Sequence, residues 1–309
     1  MRPLRAPEES WREVAFYWTY RGLERIAMTL PESIGRRAFS FAGGLAHRRL
    51  AGVRATVAAN QARVLGADLD DELVEISTRE AFDLYARYWY DTFRIRRMPA
   101  DEVRARTRAI GFHNLDEARE RGRGCICVLP HMGNWDVAGH YLAITGYPIA
   151  SVAEVLRPAR LSELFLRHRK ELGMRIIPLS KDGHVGQQLK QLLADNWIVA
   201  LVADRDLGGR GVEVEMFGER RRIPAGPALL SLTTDAPLCV CPVQTLSDGW
   251  SVTIGDPIEF ERTGETKRDV VELTRRMAAE FERAIAANPP DWHLFQPGWE
   301  PQRDTAPVT

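Results

Sequence analysis

Apolar positions recur at helical spacing through the first third of the chain. Trp11, Val14, Ala15, Trp18, Leu23, Ile26 and Leu30 make one face, with arginines interleaved. Pro31 stops that helix, and Phe39, Phe41, Leu45 and Leu50 belong to the next. A third helix is predicted from Asp71 to Phe93 on Leu73, Ile76, Phe82, Tyr85, Tyr88 and Trp89, followed by a basic stretch from Arg94 to Arg108. From about residue 110 the period changes. Apolar runs at 125–130 (CICVLP), 148–152, 174–179 and 197–203 read as buried strands, with further strands at 212–217, 237–243 and 250–255. Helical segments lie between them at 135–144, 161–172, 185–193 and 226–234, and a long one closes the series at 267–287. This alternation predicts an α/β fold: a central, mostly parallel sheet flanked by helices, behind an amino-terminal helical region. The division falls at residues 1–109 and 110–309, and function is expected at the carboxyl ends of the strands.

Composition narrows the classes. Lys+Arg and Asp+Glu both total 42, so the formal net charge of zero argues against a nucleic-acid-binding surface over the whole molecule. The zero hides a gradient, with residues 1–60 net +5 and residues 241–309 net −5. Only four of the basic residues are lysines; arginine suits planar, bidentate phosphate recognition, although a GC-rich genome gives the same bias. The basic, aromatic amino-terminal helices either pack as a plain bundle or lie on an anionic membrane surface, with Arg21, Arg25, Arg36 and Arg37 at the headgroups. No run reaches the ~20 apolar residues of a membrane span, and no signal peptide is expected. The four cysteines fall as Cys125/Cys127 and Cys239/Cys241 inside apolar runs. They read as small buried core residues, with a four-thiolate zinc site as the alternative. Reduced thiols fit a cytoplasmic setting.

The most informative segment is VLPHMGNWD, residues 128–136. On one continuous helix His131 and Asp136 would lie about 140° off a shared face. They can meet only if His131 ends the strand and Asp136 sits in the first helical turn, with Gly133 and Asn134 supplying the bend between. A carboxylate could then hold one imidazole nitrogen while the other faces a cleft, which is the base and orienter of a catalytic triad. No serine nucleophile in a G-x-S-x-G elbow accompanies them, so a substrate hydroxyl would be the nucleophile. The structural alternative is a strand-end histidine and an aspartate complementing the helix dipole. GGRG (208–211) lacks a P-loop context.

HMGNWD resembles the H-x4-D signature of glycerolipid acyltransferases. Its GNWD form is similar to the branch holding the lauroyl and myristoyl transferases of lipid A and the phosphatidylinositol mannoside acyltransferases. The block at 203–231, ADRDLGGRGVEVEMFGERRRIPAGPALLS, and the tail DWHLFQPGW (291–299) extend the resemblance over roughly residues 10–300. The tail looks most like the mannoside acyltransferases. The aromatic, Arg-rich ending and amino-terminal membrane helix usual in the lipid A enzymes are absent from the pattern. The resemblance implies transfer of a palmitoyl group from acyl-CoA to the 6-hydroxyl of the mannose on inositol position 2 of a phosphatidylinositol mannoside. The setting it implies is a peripheral position on the cytoplasmic face of the plasma membrane. No cofactor, metal or nucleic acid is expected; acyl-CoA is a cosubstrate. His131 would be the base and Asp136 its orienter, with backbone N–H groups at the helix start or a nearby arginine stabilising the oxyanion.

Gly133, Asn134 and Trp135 are expected at the substrate. Arg169 is a candidate partner for the site's acids or a substrate phosphate, against a solvated helix position. Asp204, Arg205 and Asp206 follow a buried strand and suit sugar hydroxyls, against a loop salt-bridge cluster. Glu213 alternates with apolar neighbours and is a candidate polar contact, and His293 is expected near the site. Arg220, Arg221 and Arg222 could meet coenzyme A phosphates or lipid headgroups, or lie on an exposed hairpin edge. The rival functions are a lauroyl or myristoyl transferase for another glycolipid, a thioesterase using the same histidine on water, and a non-catalytic lipid-binding module.

Overall fold

The computed structural model describes residues 10–155, 157–179, 184–206 and 208–299. Its first part is helical: α1 (Trp11–Thr29), α2 (Glu32–Arg49), α3 (Ala51–Leu65), α4 (Glu72–Arg94) and α5 (Ala100–Arg106). A capping box starts α1: Ser10 Oγ accepts the Glu13 N–H at 3.3 Å, and the Glu13 carboxylate accepts the Ser10 N–H at 2.8 Å. Along α2, Gly35, Phe39 and Gly43 recur one turn apart and face α4. A side chain at Gly43 would strike the Phe82 carbonyl, so the small residue sets how closely the two helices approach.

The basic stretch after α4 is largely consumed inside this helical part. Arg94 donates to the Leu30 carbonyl at 3.2 Å, at the carboxyl end of α1, where a cation also complements the helix dipole. Arg96 pairs with Glu24 at 2.9 Å, Arg97 donates to the Met28 carbonyl at 2.8 Å, and Arg106 pairs with Glu32 at 2.7 Å.

The rest of the chain runs β1 (Thr107–Ile110), α6 (His113–Glu120), β2 (Cys125–Leu129), α7 (Trp135–Ile144), β3 (Ile149–Ala153), α8 (Ala159–Glu171), β4 (Arg175–Pro178), α9 (Val185–Ala194) and β5 (Ile198–Val202). It continues as β6 (Val212–Met216), β7 (Glu219–Ile223), α10 (Gly226–Thr234), β8 (Leu238–Val240), β9 (Val243–Leu246), β10 (Gly249–Thr253) and α11 (Thr266–Ala287). Five strands form the central sheet in the order β4-β3-β5-β2-β8, all parallel. β2 lies inside it and is buried along its whole length, as a continuous apolar run in a two-sided sheet requires. A second sheet orders β1-β10-β9, and β6 and β7 form an antiparallel hairpin.

One register positions the chemistry. β2 and β5 pair with Leu129 opposite Val202, and the ladder runs on through the Ala203 N–H to the Leu129 carbonyl at 3.0 Å. Two residues beyond that last pair stand His131 on one strand and Asp204 on the other.

The cysteines are buried and free; Cys127 pairs across from Cys239, and the Cys125 and Cys239 sulfurs lie 3.7 Å apart. Among the described residues no group of three or more His, Cys, Asp and Glu side chains is arranged to hold a metal ion. Among the same residues no helix is long and apolar enough to cross a membrane.

Candidate active site

The strand β2 ends at Leu129, and the chain turns through Pro130–Asn134 into α7. Gly133 makes this turn with φ +58°, and a Cβ there would sit 2.3 Å from the Val243 carbonyl oxygen. Asn134 caps α7, its Oδ1 accepting the Val137 N–H at 3.0 Å. Its amide donates to the Tyr88 carbonyl at 3.1 Å and to Thr92 Oγ1 at 3.2 Å, fastening the turn to α4. Of residues 131–136 only His131 and Trp135 keep solvent exposure. Trp135 sets its ring edge-on to the imidazole, centroids 5.4 Å apart.

His131 Nδ1 lies 2.5 Å from Asp204 Oδ1. An ionised carboxylate only accepts, so Nδ1 donates to it, and in a neutral imidazole Nε2 then holds the lone pair that faces a substrate. Burial alone would raise the Asp204 pKa. His131, the Arg221 charge and the Trp292 N–H outweigh it and hold the carboxyl well below its usual range. Asp204 therefore stays ionised beside the imidazole.

This corrects the expected pairing of His131 with Asp136. Among the described residues no hydrogen bond joins them. Asp136 Oδ1 accepts from Arg169 Nε at 2.6 Å, and Oδ2 accepts from Tyr88 Oη at 3.2 Å. The reason is the helix start: with Asn134 as cap, Asp136 is already in the first turn of α7 and projects to α4 and α8. Asp136 is buried, and its charge raises the Arg169 pKa against the opposing effect of burial. Tyr88 is raised well above the usual phenol range, first by burial and then by Asp136.

The carboxyl-terminal segment covers the other side of the turn. Met132 and Trp292 form an antiparallel bridge. The Gly133 N–H donates to the Asp291 carbonyl at 3.0 Å, and the His293 N–H to the His131 carbonyl at 2.7 Å. His293 Nε2 donates to the Gly133 carbonyl at 3.1 Å, and burial lowers the His293 pKa to about 3, so this ring is neutral. Trp292 Nε1 donates to Asp204 Oδ2 at 2.8 Å. The Gly133 and Val137 N–H groups are thus occupied and cannot serve a developing oxyanion.

The remaining candidates sort into brace and cleft. Arg221 is buried; it donates to the Asp204 carbonyl at 2.6 Å, with Trp292 5.0 Å and Trp299 5.2 Å from its guanidinium. It is an internal brace rather than the expected headgroup contact, because Val214 opposite it also faces the core. Asn134, spent on the cap and on α4, is likewise scaffold. Asp206 bonds the Gly208 and Gly211 N–H groups at 3.1 and 2.6 Å and shapes its own loop. Arg205 donates to Gln296 at 2.7 Å. Glu213 faces Arg220 at 3.4 Å on the hairpin, and Arg222 reaches the Gly209 carbonyl at 3.5 Å. Arg205, Glu213, Arg220 and Arg222 line an open cleft with Trp299, next to the buried Asp204–Trp292 pair. Beneath Trp135 and Asp136 a narrow, largely apolar cavity enters the core along Leu129, Gly139, Leu142 and Met174. In the sequence Tyr88 reads only as an aromatic on a helix face and Trp292 only as part of the DWHLFQPGW tail.

A buried carboxylate holding a strand-end imidazole at the end of a parallel sheet supplies a base and its orienter, which acyl transfer can use. The sequence falls in the same class: residues 5–300 match the family of bacterial lipid A biosynthesis acyltransferases, and the chain belongs to that family. It is an acyltransferase by that membership. The chain is 34% identical over 279 residues to the phosphatidylinositol mannoside acyltransferase of Mycolicibacterium smegmatis, covering 89% of this chain and 88% of that one. It is 35% identical over 302 residues to the phosphatidylinositol mannoside acyltransferase of Mycobacterium tuberculosis (strain ATCC 25618 / H37Rv), covering 95% and 91%.

Proposed function

We propose that this protein acylates a phosphatidylinositol mannoside, taking a palmitoyl group from palmitoyl-CoA to the 6-hydroxyl of the mannose on inositol position 2. The observation that carries the reading is a free His131 Nε2, set by Asp204, in a chain similar along nearly its whole length to two enzymes of that name. The cavity beneath Trp135 is largely apolar, which suits an acyl chain, and its volume of about 70 Å³ takes only a short part of one without its walls moving.

In this reading Nε2 takes the mannose hydroxyl proton as the oxygen attacks the thioester carbonyl. Asp204 stabilises the imidazolium that forms. The tetrahedral intermediate collapses with cleavage of the carbon–sulfur bond, and Nε2 returns the proton to the coenzyme A thiolate. The ester and the free thiol leave, and no acyl-enzyme forms.

The same reading makes the protein peripheral on the cytoplasmic face of an anionic membrane. Trp11, Phe16 and Trp18 of α1 and Ile34 and Phe41 of α2 are more than half exposed, as an interfacial anchor would be. Arg25 and Arg37 are exposed beside them. Arg21 and Arg36, also expected at headgroups, are instead paired with Glu24 and Glu32.

The test incubates purified protein with palmitoyl-CoA and phosphatidylinositol dimannoside. Acylated lipid and free thiol should appear in equal amounts, and His131→Ala should abolish both. Thiol without acylated lipid would make it a thioesterase, and lipid binding without turnover a binding module; either overturns the proposal.

A further inference from the structure

Asp204 can orient His131 only if something orients Asp204. Its Oδ1 takes the imidazole, and free rotation of the carboxylate would release it. The second oxygen is held by Trp292 Nε1 at 2.8 Å, and the main-chain carbonyl is held by Arg221 at 2.6 Å. Trp292 comes from a segment remote in sequence and is buried to 1% exposure. That segment is itself fixed on both sides. Two main-chain hydrogen bonds, which together make the Met132–Trp292 bridge, tie Asp291 to Gly133 and His293 to His131, and the Asp291 carboxylate accepts the Thr245 N–H of β9 at 2.6 Å. The strap therefore holds the histidine's backbone and the aspartate's carboxylate together as one rigid unit.

We infer that Trp292 is a positioning residue of this acyltransferase, its indole N–H fixing the Asp204 carboxylate so that His131 presents Nε2 to the acceptor hydroxyl. The inference rests on the reading of His131 as the base. Indole suits this role because it is a donor only and its proton is fixed, so it cannot take up the proton that His131 exchanges. Among the described residues, the other charged or titratable groups about the pair are Arg221 on β7 and His293 and Asp291 on the strap, the last two 3.8 Å apart, and Trp292→Phe leaves all three in place.

The test follows the His131 ring resonances by NMR against pH in the resting protein, beside steady-state acyl transfer. Trp292→Phe removes the N–H and keeps an aromatic ring. The carboxylate, short of a donor, should bind the imidazolium more strongly, and the His131 midpoint should move upward with the acid limb of the rate profile. The kcat should fall about 10- to 100-fold with KM little changed, the scale of loss expected from a misplaced reacting group. Trp299→Phe is the control: that indole is also buried and lies beside Arg221, but its Nε1 has no hydrogen-bond partner among the described residues. An unmoved His131 midpoint in Trp292→Phe, or an equal shift in Trp299→Phe, overturns the inference. In the wild type, the Trp292 indole N–H resonance should titrate with the His131 midpoint. A resonance blind to that titration overturns it even where Trp292→Phe does not fold. The resonances need no turnover, so a failed acylation assay would count against the acyl-transfer reading and not against this one.

Discussion

Replacing Asp204 by asparagine separates the two candidate orienters of His131. The carboxylate accepts from two donors at once, His131 Nδ1 at 2.5 Å and Trp292 Nε1 at 2.8 Å. An amide has one oxygen. If it faces His131, its NH2 meets the indole N–H, donor against donor. If it faces Trp292, its NH2 meets Nδ1. The indole proton cannot move, whereas the imidazole can change tautomer, so the second arrangement wins. Nε2 then carries the proton and cannot act as a base. A tautomer error of this kind costs about 10⁴-fold in kcat, or about 5.5 kcal/mol at ~1.36 kcal/mol per tenfold. Folding should survive, because the amide is isosteric and Arg221 holds the main-chain carbonyl rather than the carboxylate. Asp136→Asn should behave differently. It leaves the partly exposed Arg169 guanidinium without its anion, a loss on the order of 1.5–3 kcal/mol in stability. Single-turnover acyl transfer measured beside thermal unfolding distinguishes the two. An active Asp204→Asn, with an inactive Asp136→Asn of unchanged melting temperature, would refute the assignment and restore Asp136 as the orienter.

Gly139 lies on the apolar cavity, and a Cβ there would meet Met174 Sδ at 2.3 Å. Gly139→Ala should push Met174 into the cavity and move chain preference toward shorter acyl-CoAs, and Met174→Ala toward longer ones, read from kcat/KM across an octanoyl-to-stearoyl series; an unchanged profile in both would remove the cavity from chain selection. His168 is 3% exposed, and burial lowers its pKa to about 4. Its folded pKa lies below the unfolded ~6.5, so the unfolded chain binds the proton first and stability falls as pH drops from ~6.5 to ~4, by on the order of 3 kcal/mol. His293 acts in the same direction, while Asp91 and Asp291, both raised to about 6 by burial, lose stability as pH rises toward that value. Comparing His168→Leu with wild type by urea unfolding at neutral and acidic pH isolates the histidine, and an equal pH slope in both would contradict it. Trp18→Glu with Phe41→Glu should weaken sedimentation with anionic vesicles at least about tenfold, since each places a charge where a bare ring meets the interface; unchanged binding would move the contact elsewhere.

Most strands were legible because each is a short apolar run between turn residues, and burial within the sheet follows directly from that pattern. The strands that escaped are polar. β1 buries only Thr107 of its four residues, and β7 reads as ERRRI, so neither shows an apolar run. The run at 237–243 divides into β8 and β9 around Pro242, which has no N–H to give a ladder. At the site, His131 stands out because an ionisable side chain follows an unbroken apolar strand. Its partner does not, because a spacing of five residues invites a local pairing with Asp136. The true pairing is set by register between strands 73 residues apart, which no local window contains.

A sharper rule follows from that register. In a parallel pair, residues equally far beyond the last rung lie side by side, so ionisable groups just past two neighbouring apolar strands are each other's first candidates. CICVLPH and WIVALVAD both obey it, each reaching its ionisable residue two positions past the rung that joins Leu129 to Val202. What the rule needs from elsewhere is strand adjacency, which depends on the β3–β5–β2 order and not on either segment. The arginine excess has a similar non-local side. Arg221 reads as a surface cation in ERRRI, yet it lies between two indoles and braces the Asp204 backbone. A planar, weakly hydrated guanidinium can be buried there, and a lysine ammonium would lose more hydration than these partners return.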